Sequence, residues 1–352
     1  MTGNSGSPHS GSQLRARLRD SALHRPGITR IRCGRGFRYV DPGGRPITDR
    51  AKIRRLRDLV VPPAWQDVWI CPAADGHIQA TGTDAAGRRQ YLYHPLFRER
   101  QEAAKHEHVL EVAPALPLLR KHAAEDLDAR GLCRDRVLAC AARLLDLGFF
   151  RIGNETYRRD NETYGLTTLL REHVSCRGGE VRFSYPAKGA KDVSQALAED
   201  SVCRTVRALL RRRDDGERLF VYWQARAWHD MHADDLNAYL RERTDTDLTA
   251  KDFRTWHATV LAAVALAVAE PVASESRSAR SRAVTHAVRE VAGYLGNTPA
   301  VCRASYINPR VIELFEEGRT IASSLDDLGA GVRFGEPATQ GVVEEAVLRL
   351  LA

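Results

Sequence analysis

Residues 62–95 read PPAWQDVWICPAADGHIQATGTDAAGRRQYLYHP, and their pattern sets the architecture of the chain. The runs DVWICP, GHIQATGTD and RRQYLYH are short, rich in β-branched and aromatic residues, and bounded by Pro, Gly and Asp. That pattern predicts three strands, with DAAGR closing the last hairpin. Upstream, GFRYVDPGGRPITD (36–49) alternates apolar and polar residues around Asp41-Pro-Gly-Gly44, a hairpin signature. AKIRRLRDLV (51–60) has helical spacing and stops before Pro62 and Pro63. Residues 28–94 thus read as a small sheet-rich module with one helix.

After Pro95 the apolar period becomes helical. Helices are predicted over 96–109, 115–130, 134–148, 155–173, 195–213, 223–243, 249–269, 281–295, 298–307 and 309–318. One interruption, EVRFSYPAKGAKDVS (180–194), alternates at Val181, Phe183 and Tyr185, turns through Pro186–Lys191 and reads as an isolated hairpin. Residues 270–282 read as a polar linker, and the last thirty or so are weakly patterned. Residues 1–13 are rich in Gly and Ser and are expected to be disordered. The expected fold class is α+β, with a β-rich module over 14–98 and a mainly helical domain with an embedded hairpin over 99–352.

The 352 residues carry 53 Lys and Arg against 45 Asp and Glu, a formal net charge of +8. An Arg-rich, basic balance of this kind points to a polyanion such as nucleic acid. Seven cysteines (Cys33, Cys71, Cys133, Cys140, Cys176, Cys203, Cys302) include no CxxC pair. The expectation is no disulfide framework, no structural zinc and a reducing compartment. His229 and His232 in WHDMH lack a partner set for a metal and read as polar positions on a helix, as do His106 and His108. With no apolar run of membrane-spanning length and no leader pattern, a soluble, cytoplasmic and nucleoid-associated protein is expected.

Four places could carry chemistry. In FFRIGNETYRRDNETYGLTTL, Arg151 lies between apolar neighbours, where a guanidinium needs an anion or many acceptors. The hairpin tip PAKGAK presents Lys188 and Lys191. In TAKDFRTWHAT, Lys251 and Arg254 stand one turn apart, Arg254 between Phe253 and Trp256. In GNTPAVCRASYI, Gly296 suits a helix C-terminus, Thr298 an N-cap and Pro299 the first helical position, and Tyr306 follows. RALLRRRDD (Arg207–Asp215) reads as a solvated helix end.

The order of these elements closely resembles that of the type IB DNA topoisomerases, from about residue 28 to 320. Residues 62–95 resemble the N-terminal clamp module of the bacterial and poxvirus-like members. FRIGNETYRRDNETYGLTTL, AKDFRTW and LGNTPAVCRASYINP resemble their catalytic domain. The resemblance implies a C-shaped, monomeric clamp on double-stranded DNA. It implies that Tyr306 is the nucleophile, Arg151 and Arg254 the catalytic arginines, and Lys188 the general acid, with Lys191 a second candidate because the hairpin register is open. Gln90, Tyr91, Tyr93 and Lys191 become expected DNA contacts. One departure stands out: many members read Gly-His-Thr-Pro where this chain has Asn297. An amide still donates a neutral hydrogen bond to phosphate, but it cannot become cationic.

The implied chemistry agrees with the residues. A tyrosine of ordinary pKa ~10 needs a dense cationic site to attack phosphorus. Arginines hold non-bridging oxygens bidentately, and a lysine on a hairpin protonates the leaving 5′ oxygen. The sequence has no carboxylate cluster suited to Mg²⁺ and no GxxxxGK[ST] loop, so neither metal, ATP nor any small-molecule cofactor is expected. Two rivals differ in class. A tyrosine recombinase normally has His where Lys251 stands and a helical N-terminal domain. A non-catalytic DNA-binding protein on the same fold would leave no covalent adduct.

Overall fold

The computed structural model describes residues 17–148, 150–188, 191–273, 276–325 and 340–352, the side chains at 157, 191 and 272 excepted. The segment 1–13, expected to be disordered, lies outside them. The chain divides into two compact units, Met1–Lys105 and His106–Ala352.

In the first unit, β1 (Ile28–Cys33), β2 (Gly36–Val40), α1 (Arg50–Asp58), β3 (Gln66–Ile70), β4 (Ile78–Thr83) and β5 (Arg89–Tyr93) follow in order. The strands form one antiparallel sheet, β2-β1-β3-β4-β5. Ile28, Tyr39, Val68, Ile70 and Ala80 face a core that Leu56 of α1 completes. The hairpin forms one step earlier than the sequence indicates. β2 folds back on β1 through Gly34, which takes φ 56°. The stretch after β2 makes one bridge only, Val40 to Pro46, because Pro46 has no N–H to extend a ladder. The Asp41 carboxylate closes that loop by accepting from the Gly43 and Arg45 amides, both at 2.9 Å. Asp84 repeats the device toward Ala86 and Arg88 at 2.9 and 3.0 Å, which pins the β4–β5 turn.

From Pro95 the elements are α2 (Pro95–Val112), α3 (Leu116–Leu127), α4 (Arg134–Leu147), α5 (Glu155–Asn161), β6 (Val174–Arg177), β7 (Glu180–Ala187), β8 (Lys191–Ala198) and α6 (Asp200–Arg211). Then come β9 (Val221–Gln224), β10 (Ala227–Asp230), α7 (Ala233–Thr244), α8 (Ala250–Ala273) and α9 (Arg277–Leu295). α10 (Pro299–Ser305), α11 (Pro309–Glu316), α12 (Ala322–Leu325) and α13 (Val342–Leu351) end the chain. The expected α+β class is thus realised as a sheet-rich first unit and a mainly helical second one.

Several expected helices are shorter or different. The one expected over 155–173 stops at Asn161, since Gly165 and Thr168 bond each other instead of continuing it. The one expected from 195 begins at Asp200, because residues up to Ala198 pair with β7. The one expected over 223–243 is a hairpin, β9–β10, followed by α7. His229 therefore lies on a strand and His232 at the start of α7, and both readings as helix positions are corrected. His106 and His108 do lie on α2, His106 buried and His108 3.5 Å from Asp252. The embedded hairpin is not isolated, since β6 joins it in a three-stranded sheet, β6-β7-β8. The expected linker is helical at both ends: Ser276 caps α9 by accepting from the Ala279 amide at 3.1 Å. Cys176 and Cys203 form a disulfide between β6 and α6, contrary to the expectation from cysteine spacing. Arg212, read as part of a solvated end, is buried. Its guanidinium donates to Leu209 and Leu219 carbonyls at 3.1 and 2.9 Å and pairs with Asp214.

The weakly patterned C-terminus contributes α13, which buries Val343, Ala346 and Val347 in the main core. Glu344 fixes it there. Arg120 of α3 donates to both its oxygens at 2.6 and 2.9 Å, and the indole N–H of Trp256 on α8 donates at 2.8 Å. Arg120 also grips Asp146 of α4 at 2.8 and 2.9 Å. The Arg120, Arg143 and His257 side chains outweigh burial and hold the Asp146 carboxyl well below the usual range. Removing one member of such a network leaves buried charge unpaired, at about 3–5 kcal/mol. Glu344→Ala is expected to lower stability by about that amount in chemical denaturation, whereas Glu344→Gln, which can still accept from Trp256, should lose less.

Candidate active site

Phe150 packs edge-on against Phe183 of β7, ring centroids 4.9 Å apart, which anchors the backbone just before Arg151. The Arg151 carbonyl accepts from the Leu166 amide, and that of Ile152 from the Thr167 amide, both at 2.8 Å. The two strands cross so closely that a Cβ on Gly165 would sit 2.6 Å from the Gly153 Cα, while Gly153 itself takes φ +101°. The glycines of RIGNETY and TYGLTT are what this crossing requires. From it the Arg151 side chain reaches across to Asn297, donating from Nη2 to Oδ1 at 2.7 Å.

That bond fixes the Asn297 amide. With Oδ1 accepting from a guanidinium, which can only donate, Nδ2 is the free end. It is buried and has no hydrogen-bond partner among the described residues. A buried, unsatisfied donor costs about 1–3 kcal/mol, a deficit that an anionic ligand would relieve. The position of Asn297 follows from Gly296, whose φ of 63° ends α9 and turns the Asn297 amide back to the Ala292 carbonyl at 3.0 Å.

Arg254 is 5% exposed on α8, between buried Phe253 and Trp256. Its Nη2 donates to the Leu295 carbonyl at 2.8 Å, and its Cζ stands 5.3 Å from the centre of the Tyr306 ring. Burial first, and the like charge of Arg151 second, weaken the hold of the Arg254 guanidinium on its proton, while Tyr306 and Tyr185 oppose both. Two cations this close, one of them desolvated, form a pocket of positive potential that favours an anion.

Tyr306 ends α10 rather than lying within a helix to 307, with φ −129° and ψ −41°. Its amide still reaches the Cys302 carbonyl at 3.0 Å. Thr259 of α8 organises the exit, donating to the Tyr306 carbonyl at 3.4 Å and accepting from the Asn308 amide at 3.1 Å. Asn308 then caps α11 through the Arg310 amide at 3.0 Å. The side chain is thereby presented at a break between two helices, half-buried and beside Arg254.

Lys188 lies at the β7–β8 turn, exposed, and lines a cleft of about 410 Å³ together with Arg151, Tyr164, Tyr185 and Gly293. Lys191 opens β8 opposite Ala187, and its side chain lies outside the described residues. The structure thus brings Arg151, Arg254, Asn297 and Tyr306 into one connected set, with Lys188 on the cleft that Arg151 shares. Tyr185 escaped the sequence reading. Burial raises its phenol to about 12, against the pull of Arg151 and Arg254, so it stays a neutral neighbour of both cations. Its signal was the inward alternation Val181, Phe183, Tyr185.

In the first unit, Tyr91 and Tyr93 project from one face of β5, 42% and 40% exposed, their rings stacked at 6.1 Å. Tyr93 stacks in turn on Phe97 at 5.4 Å. Gln90, on the other face, donates to Asp84 at 2.9 Å.

Residues 94–322 match the family described as eukaryotic DNA topoisomerase I, catalytic core. The chain belongs to the type IB DNA topoisomerases. Residues 36–84 match the bacterial DNA topoisomerase IB N-terminal domain. The chain is 27% identical to DNA topoisomerase 1B of Acanthamoeba polyphaga mimivirus over 82% of its own length and 88% of the relative's. It is 21% identical to DNA topoisomerase I of Monkeypox virus, over 74% and 78% of the two chains. Topoisomerases of this family are isomerases that act on DNA, so the enzyme class follows from membership. Among the described residues no helix is long and apolar enough to cross a membrane.

Proposed function

We propose that this topoisomerase relaxes duplex DNA through a covalent link to Tyr306. The phenol oxygen attacks a backbone phosphorus while the bond to the 5′ oxygen breaks. Lys188 gives that oxygen its proton, and the phenol's proton leaves to solvent. The strand is held as a 3′-phosphotyrosyl ester until the 5′ hydroxyl returns. Arg151, Arg254 and the Asn297 Nδ2 hold the non-bridging oxygens. The observation that carries the reading is Arg254 over the Tyr306 ring, coupled to an Arg151 that holds Asn297 with its buried amide donor unsatisfied. Charge already in place as the phosphorane forms is the main source of rate in such a step.

Because the ester conserves the energy of the broken bond, no ATP enters; Arg151 and Arg254 take the charge that a metal would, and supercoils of both signs are relaxed as the free strand swivels. Tyr91, Tyr93 and Gln90 supply duplex contacts from the first unit, and the chain acts as a monomer. The test is incubation with supercoiled plasmid in EDTA without ATP, followed by denaturing quench. A protein–DNA adduct with a free 5′ hydroxyl supports the reading. Binding without any adduct would leave a non-catalytic DNA-binding protein.

A further inference from the structure

Resting on that reading, we propose that α9 carries a second phosphate-binding track, leading from its N-terminal half toward the active-site cleft. Arg282, His286, Arg289 and Gly293 are spaced i, i+4, i+7 and i+11, which places them on one exposed stripe of the helix. The stripe ends at the site. Gly293 lines the cleft that holds Arg151 and Lys188, and a Cβ there would meet nothing within 4 Å. At its other end, Arg282, His286 and Arg289 line a groove of about 650 Å³ floored by Ala265, Ala269 and other small residues of α8, with no carboxylate on its walls.

The charges of this stripe are uncompensated. Some exposed arginines are paired with acids, Arg310 with Glu313 and Glu317 at 3.1 and 3.0 Å and Arg88 with Asp84 at 2.9 Å; those of the stripe are not. Arg282 makes only a 3.3 Å bond to the Ser278 hydroxyl. Arg289 makes no hydrogen bond or ion pair among the described residues. Glu290 stands 3.9 Å from His286. From Arg282 to Gly293 the helix rises ~16 Å, a span matched by about five nucleotides of one strand. The partner that fits is duplex DNA flanking the cleaved phosphate. The stripe touches no reacting atom and acts on grip.

The test is the salt dependence of binding to a long duplex for the full chain with Arg282→Gln and Arg289→Gln combined. Losing two phosphate contacts lowers the slope of log K against log salt by about 2. Adduct formation at saturating DNA is expected unchanged, and Arg282→Lys with Arg289→Lys should restore the slope. Arg310→Gln, which removes a paired arginine, should leave it untouched. An unchanged slope in the double Gln variant overturns the proposal. So does an equal loss in Arg310→Gln, which would mean a general charge effect. If the wild type forms no adduct, the reading of Tyr306 fails, but the slope still reports on the stripe.

Discussion

Tyr306→Phe is expected to abolish plasmid relaxation and covalent adduct together, while duplex affinity stays within about twofold of wild type. The substitution removes one oxygen and leaves the ring that Arg254 overlies at 5.3 Å. A cation–ring contact of this kind, with the guanidinium desolvated, is worth about 2 kcal/mol, and Phe keeps it. The backbone that presents the ring depends on Thr259, Asn308 and the Cys302 carbonyl, none of which touches the hydroxyl. Besides the nucleophile, Phe loses one side-chain hydrogen bond to Arg254, which stays anchored on the Leu295 carbonyl, so the fold, the arginine pair and the phosphate pocket persist. Removing the attacking group from a preorganised site costs on the order of 10⁶ in rate, which places the variant below detection in a relaxation assay. Residual relaxation within about a hundredfold of wild type would show that another group attacks, and would return Tyr306 to a packing role.

The parts of this site that were legible in the sequence are those fixed by local chemistry. Gly296, Thr298 and Pro299 read as helix end, cap and first turn because each acts on its own neighbours, and the structure gives them those places. The β4–β5 turn was legible for the same reason, since Asp84 binds the amides two and four residues on. What failed was the assignment of short segments. Ala225 and Arg226 form the β9–β10 turn at φ 50° and 64°, without the Gly or Asn that would have announced it. The end of β8, residues 195–198, was read as the start of a helix because its partner β7, which satisfies its backbone, was taken to end the hairpin sooner. The Ser- and Arg-rich start of α9 looked like a linker by composition, yet Ala279, Val284, Ala287 and Val288 beneath it are buried.

Long-range dependence was invisible altogether. Arg120 and Glu344 are 224 residues apart in sequence and bond at 2.6 Å; nothing in either neighbourhood announces the other. The contact between Arg151 and Asn297, 146 residues apart, is of the same kind. A resemblance could name both residues, but their direct bond, and the donor it leaves unsatisfied, required coordinates. Tyr185 is the intermediate case. Its inward face was legible, and its closeness to two guanidiniums was not.

Arg254→Lys keeps the formal charge and is nevertheless expected to slow adduct formation by about 10²–10³-fold near pH 7.5, the range for losing one preorganised donor. The guanidinium serves three directions at once. Nη2 is committed to the Leu295 carbonyl at 2.8 Å, the group stands over the Tyr306 ring and hydrogen-bonds its side chain, and its charge faces the place of the phosphate. An ammonium on a shorter, unbranched head cannot span these positions. A second consequence concerns protonation. Burial and the neighbouring Arg151 already weaken the proton affinity of the native guanidinium, which remains charged because its ordinary pKa is so high. A lysine in the same place starts about two units lower and feels the same two effects, so its folded pKa falls below its unfolded one. The lysine is then charged only below that depressed value, and the variant's residual rate should rise as pH falls from about 9 toward 6. Single-turnover adduct formation across that range decides it, with wild type expected to show no such rise on acidification. A variant within tenfold of wild type and flat with pH would mean that Arg254 contributes charge alone, and that the geometry around Leu295 and Tyr306 is not what the reaction uses.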